Sequence, residues 1–230
     1  MDVIDFHAHI VPRADHGSSS LKTTLKQLEL AKDAGVSRII ATPHFYPQVE
    51  NPEDFLNRRD ACYRRVVAAN FDDLPEIKLG SEVLICDNIE EMPMLDKLCV
   101  SGTKILLLEL PFTDFSDGYI QSVRTLISNG YTVVLAHADR YDHTNINKLI
   151  GVGARVQLNA SSVARMLVPR HIKSWIESKK VFAIGSDIHG DDKGAYKRFC
   201  RAVKRLGNNI SAINEYSETA WNATIKTDVN

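Results

Sequence analysis

Histidine and carboxylate side chains recur along this sequence just after short apolar runs, and both residue types bind divalent metal ions. Nine of them are candidate ligands: His7, His9, His16, His44, Glu82, Glu109, His137, Asp187 and His189. If these residues share one open site, here called the mouth, its three carboxylates would repel one another. Divalent cations would neutralise the carboxylates and coordinate the imidazoles. Nine ligands exceed the needs of one ion and suffice for three if one or two carboxylates bridge. We therefore predict three divalent ions that keep positions open for water and substrate.

The chemistry of such a centre follows from its ligands and its charge. Nitrogen and oxygen ligands without cysteine suit manganese, iron or zinc and do not choose among them. Three dications and three carboxylates would give the mouth a charge of about +3, which attracts a phosphate dianion. Arg140, three residues after His137, could bind phosphate oxygens in bidentate fashion, or else form an ordinary surface salt bridge. The candidate substrate is therefore a phosphoester.

Several polar residues near these ligands admit more than one interpretation. Of Asp15 and His16, only one needs to turn inward while the other orients the loop, and we favour His16 as the ligand. Residues 159–162 are expected either to donate hydrogen bonds to the substrate or the ligands, or to cap their loop. His143 and His171 do not follow predicted strands, so we expect ordinary surface positions for both.

The elements that position the candidate ligands are short apolar runs that alternate with amphipathic segments. This alternation is typical of β/α units around a parallel sheet. The carboxyl ends of parallel strands in a β/α barrel open on one face, so ligands placed there converge although they are distant in sequence. Seven strands are predicted, at residues 3–6, 37–41, 77–83, 105–110, 132–135, 155–158 and 181–185.

Helices are predicted between these strands, and each has an apolar stripe that packs on the core. They begin after the serines 18–20 and at Asn51, and later ones cover residues 116–129, 172–176 and 196–203. We find no repeat or linker that divides the chain, so residues 1–230 are predicted to form a single domain. Residues 210–230 are expected to form either a peripheral helix or a loose tail.

Composition excludes several classes of protein. Lys and Arg number 28 against 29 Asp and Glu, and this net charge of -1 gives no global attraction to nucleic acid or to an anionic membrane. The first ten residues lack the pattern of a signal peptide, and no apolar run is long enough for a membrane span. Four scattered cysteines, without a C-x-x-C pair, favour reduced thiols. We therefore expect a cytoplasmic location, while the oligomeric state stays open.

Seven motifs follow one another along residues 1–190: DFHAHI, ADHG, ATPHF, GSE, LELP, HADRY and GSDIH. In this order they resemble the polymerase and histidinol phosphatase (PHP) superfamily, in particular its bacterial metal-dependent protein-tyrosine phosphatases from capsular and extracellular polysaccharide operons. The resemblance implies a distorted TIM-like (β/α)7 barrel whose trinuclear centre, usually with manganese, lies at the carboxyl ends of the strands. It also implies hydrolysis of phosphotyrosine on the C-terminal tail of a tyrosine autokinase.

The resemblance further assigns the ligands to three ions, with Glu82 as the bridge. The sets are His7, His9, Glu82 and Asp187 for one ion, Glu82, Glu109 and His137 for a second, and His16, His44 and His189 for the third. The sequence departs from the family pattern in two ligand motifs, where Asp15-His16-Gly17 replaces Asp-Asp-Gly and HADRY replaces HPERY. The family arginine that follows the last motif is also displaced, which leaves Lys193 or Arg198 as substitutes.

The expected mechanism is in-line attack on phosphorus by a metal-bound hydroxide while Arg140 holds the phosphate. His44 or His137 could assist an alkyl leaving group. A cysteinyl-phosphate route needs arginine six residues after a cysteine, but those positions hold Ala68, Met92, Ile105 and Leu206. Three alternatives stay open: a small-molecule phosphatase such as histidinol-phosphate phosphatase, a TatD-type nuclease, and a non-catalytic regulator that binds the phosphotyrosine tail.

Overall fold

Parallel strands alternate with helices along the chain, in a computed structural model that describes residues 3–112 and 115–223. Within these residues the strands pair in parallel and in the order β1-β2-β4 in one sheet and β3-β5-β6-β7-β8-β9 in the other. The strands are β1 (Ile4–Ala8), β2 (Arg38–Ala41), β3 (His44–Phe45), β4 (Glu76–Leu79), β5 (Glu82–Leu84), β6 (Ile105–Glu109), β7 (Thr132–Leu135), β8 (Arg155–Asn159) and β9 (Val181–Gly185). The predicted parallel α/β fold class is confirmed.

The two sheets are continuous through two bends. Strand β2 continues as β3 across Thr42 and Pro43, and β4 continues as β5 across Gly80 and Ser81. Single backbone hydrogen bonds bridge the bends, from Gly80 N to Ala41 O (2.8 Å) and from Glu82 N to Pro43 O (3.1 Å). The strand predicted at 77–83 is therefore split in two, because the ladder is interrupted beside a proline that lacks an N–H donor. Seven strand positions result, as the alternation predicts.

Strands β1 and β9 bring the two ends of this arrangement together. No ladder joins them within the residues described, but Asp187 N donates to His7 O (2.8 Å) and His9 N donates to Ile188 O (3.2 Å). Beneath these bonds the rings of Phe6 and Phe182 make an edge contact at 5.4 Å. The barrel is thus distorted, and its seam is held by the backbone of the residues that carry the candidate ligands.

The helices begin and end at residues with known capping roles. Ser20 and Asn51 accept hydrogen bonds from Thr23 N and Asp54 N, and Pro52 takes the first position of its helix. The helices are α1 (Leu21–Asp33), α2 (Pro52–Ala68), α3 (Leu95–Leu98), α4 (Gly118–Ser128), α5 (His143–Gly151), α6 (Ala160–Val163), α7 (Arg170–Glu177), α8 (Ala195–Leu206) and α9 (Asn209–Asn222), with 3₁₀ turns at Ile89–Glu91 and Ala138–Arg140.

Helix α9 covers the amino ends of the strands. Tyr216 and Trp221 pack on an apolar cluster that contains Phe6 and Phe182. Lys78 Nζ donates to three carbonyl oxygens at the end of α9, at 2.8 to 2.9 Å. Residues 210–223 of the predicted peripheral segment are therefore ordered on the barrel, and 224–230 lie outside the described residues.

The described helices are too short or too polar to be membrane spans. A single domain over residues 1–230 stays a prediction.

Candidate metal centre

The two histidines of the first motif point their Nε2 atoms to the same place. His7 in β1 and His9 just after it are two residues apart, so both side chains project from one side of the extended backbone. Both are fully buried, and their Nε2 atoms are 3.0 Å apart. His7 Nδ1 donates to Gln157 Oε1 (3.1 Å), and His9 Nδ1 donates to Asp15 Oδ2 (2.6 Å). Because each Nδ1 carries the proton, each Nε2 keeps its lone pair for a metal ion.

Glu82 occupies the middle of the site. Its carboxylate is fully buried, and Oε2 lies 3.2 Å from His7 Nε2 and 3.3 Å from His9 Nε2. His44 Nδ1 is also close to Oε2, at 3.0 Å. The second carboxylate oxygen, Oε1, is 2.7 Å from His137 Nε2. One carboxylate thus faces four imidazoles, an arrangement that would allow Glu82 to bridge two ions.

Glu109 lies beside Glu82, between two of the same histidines. Its Oε2 is 3.5 Å from His44 Nδ1, and its Oε1 is 3.6 Å from His137 Nε2. It comes from the last position of β6, as the sequence predicts for a strand-end ligand. Two carboxylates and two imidazoles therefore alternate on this side of the mouth.

Asp187 completes the opposite side and is held by neutral and charged partners. Its Oδ1 is 3.4 Å from His9 Nε2 and 3.5 Å from His189 Nδ1. Its Oδ2 accepts a hydrogen bond from Asn159 Nδ2 (2.9 Å) and pairs with the Arg140 guanidinium. Asp187 has a left-handed backbone with φ of 52°, a conformation that costs free energy in a non-glycine residue and concentrates at functional sites.

The loop after β1 packs Asp15 against His9 and leaves His16 at the exposed rim of the site. Asp15 accepts hydrogen bonds from Gly17 N (2.8 Å) and His44 N (3.0 Å) as well as from His9. The exposed ring of His16 stacks at 4.8 Å from that of His44, and it lies 4.9 Å from that of His189. Asp15 is therefore the residue that orients the loop and His9, while His16 lies at the rim beside two other candidate ligands.

The donor set fits divalent ions. Three groups have ligand atoms within 4.8 Å of one another: His7, His9 and Glu82, then His44, Glu82 and Glu109, and finally His9, His44 and His189. In the part of the chain that is described, His44 Nδ1 and Glu82 Oε1 are buried without a hydrogen bond, although each lies within about 3 Å of a polar neighbour. A buried polar atom without a partner costs free energy. Lone pairs that face each other without hydrogen-bond geometry therefore favour a cation between them.

The family model for capsular polysaccharide synthesis, CpsB/CapC, matches residues 3–211. The chain belongs to the CpsB/CapC family. Two named relatives are similar over most of their length. Tyrosine-protein phosphatase YwqE of Bacillus subtilis is 27% identical over 200 residues, and CapC of Staphylococcus aureus, which also carries a tyrosine-phosphatase name, is 26% identical over 206. Each match covers 81% of this chain and 77% of the relative.

A solved structure gives the fold of the same family. It is one of the crystal structures of YwqE from Bacillus subtilis and CpsB from Streptococcus pneumoniae, described as unique metal-dependent tyrosine phosphatases. Its TM-score is 0.77 at 23% identity, and the match covers 96% of this chain and 94% of that one. The resemblance drawn from the seven motifs, to the capsular branch of tyrosine phosphatases, is therefore confirmed by the family match and by the names of these relatives.

Protons balance the charge of this CpsB/CapC centre when no ion does. Burial disfavours protonation of His44, but the carboxylates of Glu109 and Glu82 raise its pKa to about 9. Burial also opposes ionisation of Glu82, yet His7, His137 and His44 hold the pKa of this carboxyl well below its usual range. Burial and the charge of His9 lower the pKa of His189 to about 4. Metal binding must therefore displace protons from some imidazoles and not from others.

Arg140 lies at the rim, on the 3₁₀ turn that follows β7. Its side chain is 42% exposed and pairs with Asp187. His137, which begins this turn, has a φ of 29°, so the backbone reverses sharply between the ligand and the arginine. Asp139 in the same turn accepts from Asn159 N (2.8 Å) and Ser162 Oγ (2.5 Å). Residues 159–162 thus cap the loop and also support Asp187 through Asn159.

The two candidates for a second phosphate clamp lie elsewhere. Arg198 pairs with Asp192, and Lys193 borders a cleft beside Ala34 at the end of α1. His143 is exposed, as expected, whereas His171 is half-buried, and the two rings stack with centroids 5.0 Å apart.

Sequence reasoning missed three residues that hold the first two histidines. Gln157 Oε1 accepts from both His7 Nδ1 (3.1 Å) and His137 N (2.5 Å). At Gly17 a Cβ atom would lie 2.2 Å from His9 Cβ, and at Gly185 it would lie 2.5 Å from His7 Cβ. Two sequence signals could have found them. One is the polar Gln157 between apolar neighbours in a predicted strand, and the other is a glycine close to a ligand, Gly17 after His16 and Gly185 before Asp187.

Proposed function

We propose that this chain is a metal-dependent protein-tyrosine phosphatase that acts in capsular polysaccharide synthesis. One observation carries the proposal: imidazoles from separate strand ends converge on the buried Glu82 carboxylate, namely those of His7, His9, His44 and His137. Membership of the CpsB/CapC family, and similarity to YwqE and CpsB, which are named tyrosine phosphatases, supply the reaction class.

The proposed cofactor is a set of three divalent ions, with manganese favoured over iron or zinc. The proposed ligand sets are His7, His9, Glu82 and Asp187, then Glu82, Glu109 and His137, then His16, His44 and His189. Ions bound there would activate a water molecule and neutralise phosphate oxygens. The compact group of His7, His9 and Glu82, with Asp187 Oδ1 3.4 Å from His9 Nε2, supports the first set. His137 Nε2 lies 2.7 Å from Glu82 and 3.6 Å from Glu109, which supports the second. The ring contacts of His16 with His44 and His189 support the third.

Arg140 is proposed to bind the phosphate. Its guanidinium is a fork of donors that matches phosphate oxygens, and its side chain is exposed enough to move. Without substrate it pairs with Asp187, so substrate binding exchanges a carboxylate partner for a phosphate partner. Asp187 keeps the hydrogen bond from Asn159 after this exchange, which keeps its carboxylate oriented.

His44 and His137 are proposed to assist the leaving oxygen through the ring nitrogen that does not bind an ion, since that nitrogen keeps its N–H when the other is a ligand. Both lie beside the carboxylate of Glu109, at 3.5 and 3.6 Å. A tyrosine phenolate leaves fairly well unaided, because its pKa is about 10. The contribution of these histidines is therefore smallest for aryl esters and largest for alkyl esters.

The proposed partner is the phosphotyrosine-containing C-terminal tail of a bacterial tyrosine kinase, and the proposed location is the cytoplasm. All four cysteines are free thiols, a state that a reducing compartment maintains. None is proposed to act in the reaction. Burial raises the pKa of the Cys99 thiol to about 12, so this thiol stays protonated. Because no cysteine is proposed to act in the reaction, treatment with iodoacetamide should leave activity unchanged.

Elemental analysis of protein purified without chelator, coupled to turnover assays with manganese, tests the proposal. We expect about three ions per chain, faster hydrolysis of a phosphotyrosyl peptide than of histidinol phosphate, and loss of activity with chelator. Asp187→Ala should abolish phosphate release, whereas Asp192→Ala, which removes the pair with Arg198 and the hydrogen bond from Gly194 N, should not. Preference for histidinol phosphate would favour a small-molecule phosphatase. Peptide binding without turnover, under any metal, would favour a regulator.

A further inference from the structure

An exposed aromatic ring stands beside the metal centre, and the proposed chemistry does not use it. Phe112 follows β6 and is 74% exposed, although phenylalanines elsewhere in the described residues form much of the core. Its ring stacks on that of Tyr141, with centroids 5.4 Å apart and planes inclined by 30°. Tyr141 in turn lies 5.7 Å from the ring of His137. These three rings form a continuous series from a candidate ligand to solvent.

Phe112 and Tyr141 are both close in sequence to residues of the proposed site. Phe112 is three residues after Glu109, and Tyr141 directly follows Arg140. Tyr141 is half-buried and lies between the rings of His137 and Phe112, so it supports Phe112 from the side of the centre.

A second aromatic ring borders the same mouth. Tyr46 stacks on His44 with centroids 5.1 Å apart and planes inclined by 19°. Glu109 lies between the two sides, in contact with both His44 and His137. Tyr46 is half-buried, so Phe112 is the ring with most of its face available to a ligand.

An exposed stacked ring next to a phosphate site favours an aromatic ligand. Offset stacking of two rings contributes free energy beyond the apolar area that it buries, and Tyr141 already fixes the orientation of Phe112. We propose that Phe112, supported by Tyr141, is the surface on which the phenyl ring of the phosphotyrosine substrate lies. This inference rests on the proposed phosphatase function and adds the residue that distinguishes aryl from alkyl phosphate esters. An alkyl ester bound through the same phosphate has no ring to place there.

Steady-state kinetics with phenyl phosphate and β-glycerophosphate, in the presence of manganese, test the inference. Comparing each variant with the wild type on the same ester removes the difference between the two leaving groups. Phe112→Ala should raise KM for phenyl phosphate roughly three- to tenfold, with kcat nearly constant. KM for β-glycerophosphate should stay within about twofold, because that ester does not contact the ring.

Two further variants sharpen the result. Phe112→Tyr keeps an aromatic ring and should restore KM for phenyl phosphate. Leu167→Ala truncates a side chain that is 83% exposed but contributes no ring at the mouth, and it should change neither ester. Inhibition by inorganic phosphate should be the same in all variants, since the phosphate-binding groups are untouched.

Other results would overturn the inference in recognisable ways. An equal rise of KM for both esters, or weaker inhibition by phosphate, would show that Phe112 only shapes the phosphate site. No change with phenyl phosphate would show that its ring lies elsewhere. If the wild-type chain hydrolysed neither ester, the proposed phosphatase function itself would fail, and this inference with it.

Discussion

The two ends of the barrel are built from opposite kinds of interaction. At the carboxyl ends of the strands, buried imidazoles surround the fully buried carboxylate of Glu82. At the amino ends, helix α9 covers an apolar cluster that includes Phe6, Phe182 and Ala220. The polar groups at this second end have direct partners, since Lys78 Nζ donates to carbonyl oxygens at the end of α9.

This difference separates the source of stability from the source of function. Apolar burial stabilises the fold with or without a ligand, whereas buried charges are costly unless they are paired. Left-handed backbone at both His137 and Asp187 adds strain at the mouth. We therefore expect substitutions at the α9 end to change stability and substitutions at the mouth to change metal binding and activity.

The largest effect should come from the centre of the mouth. Glu82→Gln keeps the shape of the side chain but removes the charge that faces four imidazoles. Metal content should fall, and kcat/KM for a phosphotyrosyl peptide should drop on the order of a thousandfold or more, since several kcal/mol of charge stabilisation are lost. Circular dichroism should still show a folded chain. Full activity with bound metal would refute the bridging role.

At the opposite end we expect the reverse outcome. Phe182→Ala removes a ring that is 4% exposed and packs against both Phe6 and Tyr216. Urea unfolding should show a loss of about 3–5 kcal/mol in the free energy of unfolding. Metal content and kcat per folded molecule should be unchanged. Phe182→Leu leaves a smaller cavity, so it should lose less free energy of unfolding and also keep its activity. A large fall in kcat for either variant would contradict the separation of stability from function.

The supporting residue Gln157 should have an intermediate effect. Gln157→Leu leaves His7 Nδ1 and the backbone N–H of His137 without their shared acceptor. The His7 ring then loses its fixed orientation, and the turn that carries His137 loses a support. Metal affinity or activity should fall by about 10- to 100-fold, the usual cost of losing an outer hydrogen bond to a ligand. Gln121→Leu, on the exposed face of α4, is the matched control. Equal effects of the two variants would contradict the proposed support.

The smallest effect concerns pH. In the metal-free chain the pKa of His44 is raised from 6.5 to about 9, so its proton stabilises the folded state below pH 6.5, and this contribution is lost as pH rises through 9. The melting temperature without metal should fall over this range. With metal bound, the proton is already displaced, so calorimetry near neutral pH should detect proton release on metal binding. Metal affinity that weakens with rising pH would contradict this sign.

Much of the fold could be predicted because strand periodicity is a local property. The apolar runs gave the strand positions around the barrel, and Ser20, Asn51 and Pro52 marked the helix starts. The split at Gly80 and the short strand at His44 could not be predicted, because they depend on how neighbouring strands align. The role of residues 210–223 was likewise left open, since packing on the amino ends of the strands involves contacts with the far end of the chain.

The candidate site was predicted in part, for a related reason. A histidine or carboxylate at a strand end is visible in the sequence, and six of the nine candidate ligands share compact groups of donor atoms in the structure. Their assignment to particular ions stays a prediction. The hydrogen bond from His7 to Gln157 joins residues 150 positions apart, and no local pattern marks it.

By itself, the sequence determined which residue types stand at the ends of the strands, and hence a site of nitrogen and oxygen donors that suits metal ions. The tertiary structure decided which ring nitrogen faces the centre, and that Asp15 supports His9 while His16 lies at the rim. It also decided that Phe112 lies exposed against Tyr141. The physical reason is that residue type and spacing are local, whereas the direction of a buried polar side chain is set by partners that only folding brings into contact.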